Sequence, residues 1–195
     1  MQTRHYWFGA LMHRLVAVRL AAVLLACAAA SGCGMLVLAK AERDAAGGST
    51  AANTSADIQF LRDVATTNLA EIASGKLAAQ KAVSPDVRNY GQQMADDHTK
   101  AQQEAATLAK ARGMTLPEEP DAKRQGGAQR LEELSGEKFD RAYMDRMVKD
   151  HGETLQVLER AALEAQDASV RAFAEKAAPH VRKHLEAARE IRAKL

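Results

Sequence analysis

An all-α fold, built as a bundle of four helices, is predicted by three observations. Apolar residues recur at three- and four-residue spacing from Asp57 onward, and Ala, Leu, Glu, Lys, Gln and Arg dominate that text. Runs of β-branched residues are nearly absent. Two tight breaks and one long one divide the pattern, and 195 residues suit one ordinary domain with an appendage.

The first helix is predicted over 57–82, with Asp57 as its N-cap and Leu61, Val64, Asn68, Glu71, Gly75, Ala78 and Ala82 along one stripe. Ser84-Pro85-Asp86 ends it and opens the second, 85–112, with Ser as cap and Pro at the first helical position. The stripe of that helix is Val87, Tyr90, Met94, His98, Ala101, Ala105 and Leu108, and it stops near Gly113. A connection over 114–136 contains Pro, Gly and a short helical patch around Leu131 and Leu134. The third helix, 137–166, carries Phe139, Tyr143, Met147, His151, Leu155 and Leu158. The fourth, 168–193, carries Val170, Phe173, Ala177, Val181, His184, Ala188 and Ile191, with a kink expected at Pro179. A long connection between helices two and three permits the crossover of a ferritin-like bundle. The hairpins also resemble each other. Asp86-Val-Arg-Asn-Tyr-Gly91 is echoed by Ser169-Val-Arg-Ala-Phe-Ala174, and Phe60 with Arg62 by Phe139 with Arg141, which suits a pseudo-twofold bundle.

The front of the chain reads differently. Arg4, Arg14 and Arg19 precede the apolar run Leu20–Ala30, so residues 1–32 read as a secretory signal peptide. Ala30-Ser31-Gly32-Cys33 resembles the lipobox of bacterial lipoproteins and makes Cys33 the expected lipidation site, with Cys27 as the alternative. Residues 33–56 then form a lipidated tether, and 57–195 the bundle. The expected location is the periplasmic side of the envelope, as an outer-membrane lipoprotein, because Gly34 offers no aspartate-type signal for inner-membrane retention. The competing reading is an uncleaved inner-membrane anchor over 20–39. The membrane, through that lipid, is thus the one partner predicted. Without the three leader arginines the charge is 24 − 25 = −1, which excludes the clustered basic surface of a nucleic-acid binder. Cys27 and Cys33 are the only cysteines, so no disulfide staples the bundle.

The chemistry centres on a repeated skeleton, Arg-x-Tyr-x3-Met-x2-Asp-His, at Arg88–His98 and Arg141–His151. Counting rises of about 1.5 Å per residue from the two tight turns places Glu71, His98, His151 and His184 near one level, one from each helix. Inward imidazoles plus a carboxylate suit one divalent transition metal or copper, held as a closed four-ligand site. Met94 and Met147, one turn before a histidine, and His180, four residues before His184, are auxiliary candidates, the thioethers favouring copper(I). The competing reading is a polar core layer that fixes helix register in a structural or stress-protection lipoprotein. Tyr90 and Tyr143 read as core aromatics with hydroxyls near the bundle end, and Asp97 and Asp150 as flanking groups. Gly75, Gly91 and Gly152 read either as close helix approaches or as space beside a site. A di-iron oxidase is disfavoured because no Glu-x-x-His occurs, and no nucleotide loop, zincin motif or Gly-x-Ser-x-Gly is present. No catalytic residue is assigned.

Phe60-Leu61-Arg62, Glu71 with Gly75-Lys-Leu-Ala, the paired Met-x2-Asp-His runs, Phe139-Asp140 and His184-Leu185 together resemble an uncharacterised bacterial family. Its members are exported ferritin-like helical domains, often labelled outer-membrane proteins of unknown function. The resemblance implies fold and envelope location and supplies no activity.

Overall fold

A computed structural model of the chain describes residues 54–195, in which there are five helices and no strand. They are α1 (Ser55–Lys81), α2 (Pro85–Lys110), α3 (Ala122–Glu132), α4 (Gly136–Glu164) and α5 (Ala168–Arg192). The predicted signal peptide, Cys27, Cys33, the 20–39 anchor and nearly all of the tether lie outside the described residues. No described helix is long and apolar enough to cross a membrane.

Each helix begins where local chemistry satisfies its free N–H groups. Thr54 caps α1, its hydroxyl accepting from Asp57 N at 3.1 Å, so the helix starts two residues before the expected Asp57. Pro85 occupies the first turn of α2, but Ser84 makes no side-chain cap bond. Asp121 and Asp167 cap α3 and α5. Gly113, at φ 65° just after α2, and Gly136, at φ 59° as the first residue of α4, take the left-handed backbone that favours glycine. α5 continues through Pro179. The helix in the connection begins earlier than the Leu131/Leu134 patch suggests, because its first two turns, Ala122–Ala128, are polar and glycine-containing and leave no apolar stripe.

Asp57 was expected to be a cap and has another task. Its buried carboxylate accepts from Gln166 N and Asp167 N, at 3.3 and 3.1 Å, in the α4–α5 turn. Asp140, near the start of α4, does the same for Val83 N and Ser84 N in the α1–α2 turn, at 3.2 and 2.7 Å. Arg88 and Arg171 complete each corner, donating to the carbonyls of Ala82 and Val83 and of Ala165 and Gln166. Asp140 follows Asp57 by 83 residues, and Arg171 follows Arg88 by the same interval.

These corners set the directions. α1 starts beside the α4–α5 turn and α4 beside the α1–α2 turn, so α1 and α4 run antiparallel while α2 and α4 run parallel. α1 packs mainly on α2 and α4 on α5, with sparser contacts closing the ring. Gly75 and Gly91 let α1 and α2 touch backbone to backbone: a Cβ on Gly75 would lie 2.6 Å from the Gly91 carbonyl. Gly152 meets nothing within 4 Å, so the close-approach explanation does not apply to it. The 83-residue interval also pairs Phe60 with Tyr143, not with Phe139 as the local sequence echo suggests; that echo is one helical turn out of register. The T-shaped Phe60–Phe173 pair, 6.4 Å between centroids, is accordingly the twin of Tyr90–Tyr143 at 6.3 Å.

Two apolar clusters result. One, near the α1–α2 turn, contains Val87, Tyr90, Met94, Phe139, Tyr143 and Met147; the other, near the α4–α5 turn, contains Phe60, Leu61, Leu158, Val170, Ala174 and Val181. A polar layer lies between them. The corners predict that Asp140→Ala and Asp57→Ala each destabilise the protein by about 2–4 kcal/mol, through two charged-acceptor bonds left unmade. Lying at opposite ends, the two losses should add. Urea unfolding of both single variants and the double variant checks this.

Candidate metal centre

The polar layer is built on α2, α4 and α5. One ring nitrogen from each of His98, His151 and His184 lies within 4.8 Å of the other two, and all three residues are buried. Ring centroids stand 5.7, 5.7 and 5.5 Å apart. The parallel run of α2 and α4 explains the duplicated skeleton. Identical spacing on two parallel helices sets Tyr90 against Tyr143 and His98 against His151 across the core.

Each histidine has one nitrogen engaged by an acceptor. His98 Nδ1 donates to Asn68 Oδ1 at 2.9 Å, His151 Nδ1 to the Met147 carbonyl at 3.0 Å, and His184 Nε2 to Asp97 Oδ2 at 3.2 Å. Asn68 in turn donates through Nδ2 to Gln102, which sets the orientation of its amide. A carbonyl or carboxylate oxygen only accepts, so each engaged nitrogen carries the proton and the other keeps its lone pair. Those others are His98 Nε2, His151 Nε2 and His184 Nδ1. All three are buried without a hydrogen-bond partner among the described residues. A metal-binding histidine has this arrangement: one nitrogen free, the other held by an oxygen that fixes tautomer and ring direction.

Burial keeps the imidazoles neutral. Desolvation and the neighbouring rings push His98 down to about 3; desolvation and His184 push His151 down to about 4. His184 is lowered by desolvation, against the pull of Asp97.

Glu71 is buried on α1 but does not join the triad. The level of His98 on α1 belongs to Asn68: both lie 15 residues from Val83, whereas Glu71 lies 12 away, about one turn nearer the α1–α2 turn. Asn68 was visible in the α1 stripe, and an equal count from the turn was the signal that could have singled it out. Desolvation first, then Asp150, raises the Glu71 carboxyl to about 7, against Arg146 and Arg124. Met94 and Met147 are fully buried in the apolar cluster one turn from the layer, and His180 is exposed. The Tyr90 hydroxyl points to the middle of the bundle and not to its end: it donates to the His184 carbonyl at 3.1 Å. A cavity of about 1030 Å³, with walls from all five helices, is lined by Glu71, Asp97, His98, Arg146, His180 and His184 among others.

The sequence pattern of DUF4142, a domain of unknown function, matches residues 42–191. The chain belongs to the DUF4142 family. No curated protein matches this DUF4142 chain in sequence. Two solved structures share its fold. The "putative secreted protein DUF305" of Streptomyces coelicolor superposes with a TM-score of 0.62 at 13% identity, over 73% of this chain and 95% of that one. The conserved hypothetical protein rv2844 of Mycobacterium tuberculosis gives 0.59 at 16% identity, over 74% and 95%.

The buried layer makes the stability of the metal-free DUF4142 bundle pH-dependent. His98 and His151 have folded values of about 3 and 4 against an ordinary 6.5, so the unfolded chain binds more protons in between. Their contribution is full above about 6.5 and is lost as pH falls through that window. Glu71, raised from 4.5 to about 7, works oppositely: its contribution is full at low pH and lost as pH rises. The imidazoles outnumber the carboxyl. Stability should therefore fall from pH 7 to pH 5, by about 1.4 kcal/mol per pH unit for each imidazole protonated only on unfolding. Urea unfolding across that range checks the slope, which His151→Leu should make shallower.

Proposed function

We propose that this DUF4142 protein is an envelope protein whose ferritin-like bundle holds one transition-metal ion on His98, His151 and His184. The observation that carries the reading is that three clustered imidazoles each keep one buried nitrogen without a hydrogen-bond partner while the other donates to Asn68, Met147 or Asp97. A core layer selected only to fix register would be expected to pair its members with one another. Three neutral imidazoles suit zinc, copper, nickel or iron. With Glu71 one turn away, the ligand set is three histidines with a further direction open to the cavity, in place of the closed four-ligand set. Such a site is suited to exchange metal or to bind a fourth ligand, and no reaction is assigned to it. Met94 and Met147 keep copper(I) in range should a thioether enter.

The location belongs to the same proposal. The basic leader, the apolar run and Cys33 support export and lipid anchoring at the outer membrane, and the neighbour from Streptomyces coelicolor carries "secreted" in its name. Mass spectrometry of the mature N-terminus tests that half: a lipid on Cys33 supports it, and an intact Met1 contradicts it.

For the metal, protein purified without a His tag should raise its melting temperature on titration with the cognate ion. The shift corresponds to about 2.7 kcal/mol at a free concentration a hundredfold above Kd. His151→Ala should abolish the shift and keep the helix content. Asn68→Leu should weaken metal affinity by about 10–100-fold while leaving all three ligands in place. Loading should fail as pH drops, because the ligands must be neutral. If zinc, copper, nickel and iron all leave the wild-type melting temperature unchanged, the register-fixing layer is the correct reading.

A further inference from the structure

Beside the histidines lies a second group that neither the fold nor the proposed metal uses. Glu71 Oε2, Tyr143 OH and Arg146 Nη1 are all buried and, among the described residues, have no hydrogen-bond partner. Glu71 is 3% exposed and Tyr143 is fully buried. Glu71 and Arg146 line the large cavity.

Arg146 is held in place. Its Nε donates to Asp150 Oδ2 at 3.0 Å, which leaves the far edge of the guanidinium for another acceptor. The crossover helix α3 lies over the face of the guanidinium, leaving that edge clear. A Cβ on Gly127 would come 2.9 Å from Arg146 Nη1 and 3.2 Å from Cζ, so the absent side chain makes room for the guanidinium. Arg124 of the same helix donates to Thr67 Oγ1 at 2.8 Å, fastening α3 to α1 over the cavity. Lys123 and Arg130 of α3 also line the cavity, whose seven basic side chains are matched by seven acidic ones.

We infer that Arg146 and Glu71, which both line the cavity beneath α3, form a binding site there for a small oxyanion, a carboxylate or a phosphate-like group. A planar guanidinium with a free edge is the side chain best matched to such oxygens. Glu71, when it carries its proton, donates as well, and when ionised it accepts from a protonated oxyanion, so it selects ligands that bring a hydrogen. Leaving these groups unpaired would be costly, since each buried polar atom without a partner costs on the order of 1–3 kcal/mol. The inference does not need the metal. If the histidines do hold a cation, its charge at the same cavity should tighten the oxyanion, and by reciprocity the oxyanion should tighten the metal.

The test is isothermal titration of the whole metal-free protein with inorganic phosphate and, separately, with acetate, at constant ionic strength against chloride. Saturable binding of either is expected. Arg146→Gln should weaken it at least about tenfold, the loss expected for a bond to a charged donor. Because Arg146→Gln also leaves Asp150 without its partner, Gly127→Ala serves as a second variant: it keeps every charge but crowds the guanidinium, and should weaken binding too. The result that overturns the inference is no saturable binding by the wild type, meaning the cavity holds water only, or equal binding by both variants. Repeating the titration on metal-loaded protein separates the two readings. Phosphate or acetate bound without any metal uptake removes the metal and keeps this site, and metal uptake without oxyanion binding does the reverse.

Discussion

A buried carboxylate at each end of the bundle sets the axial register of everything between. Asp57 and Asp140 each reach from the first helix of one hairpin to the N–H groups of the other hairpin's turn. Each turn has two N–H groups that its own hairpin leaves unpaired, and the other hairpin's carboxylate accepts from both. Each hairpin therefore depends on the other for its corner. Sliding one hairpin by a turn would break four such bonds at once. With both ends fastened, the aromatic pairs Phe60–Phe173 and Tyr90–Tyr143 fall at matching depths, and the layer between them is fixed in height.

The middle of the bundle is where the two halves stop resembling each other. The 83-residue relation that pairs Asp57 with Asp140 would pair His151 with Asn68, His98 with Val181 and His184 with Ala101. None of the three histidines has a histidine as its twin. Asn68 is the exception that explains the design: at the position equivalent to His151 it serves as the acceptor for His98 rather than as a third-party ring. Near-symmetry holds at the ends, and departure from it at the centre brings three buried histidines together, one ring nitrogen of each within 4.8 Å of the other two. The bundle gives up apolar packing there, where the two hydrophobic clusters are separate.

The sequence made most of the scaffold legible. Apolar periodicity located the four long helices to within two residues at every end, because each has an uninterrupted stripe facing the core. α3 was legible only in part, since Gly126 and Gly127 and its charged first turns serve the cavity and not a core face. Register was harder to read. The Phe60/Phe139 echo misaligned the hairpins because aromatic-x-Arg is a local likeness, whereas the corner carboxylates that decide register act between residues more than fifty apart. The three histidines were legible as a set, through their stripes and their distance from the turns. Glu71 was grouped with them because a level estimated to within a few residues does not resolve one helical turn, and direct contact assigns that level to Asn68. That Glu71 and Arg146 line one cavity had no sequence signal, because they stand on helices of different hairpins.

The central claim is that three imidazoles, and no other set, hold one ion in the core. X-ray absorption at the metal edge, on protein loaded with a single equivalent of the ion it retains, tests this most directly. The account predicts three imidazole nitrogens at about 2.0–2.1 Å, with the outer-ring scattering of coordinated histidine and the remaining coordination made by light oxygen donors. A spectrum with fewer than three imidazoles, or one dominated by sulfur at about 2.3 Å, would contradict it.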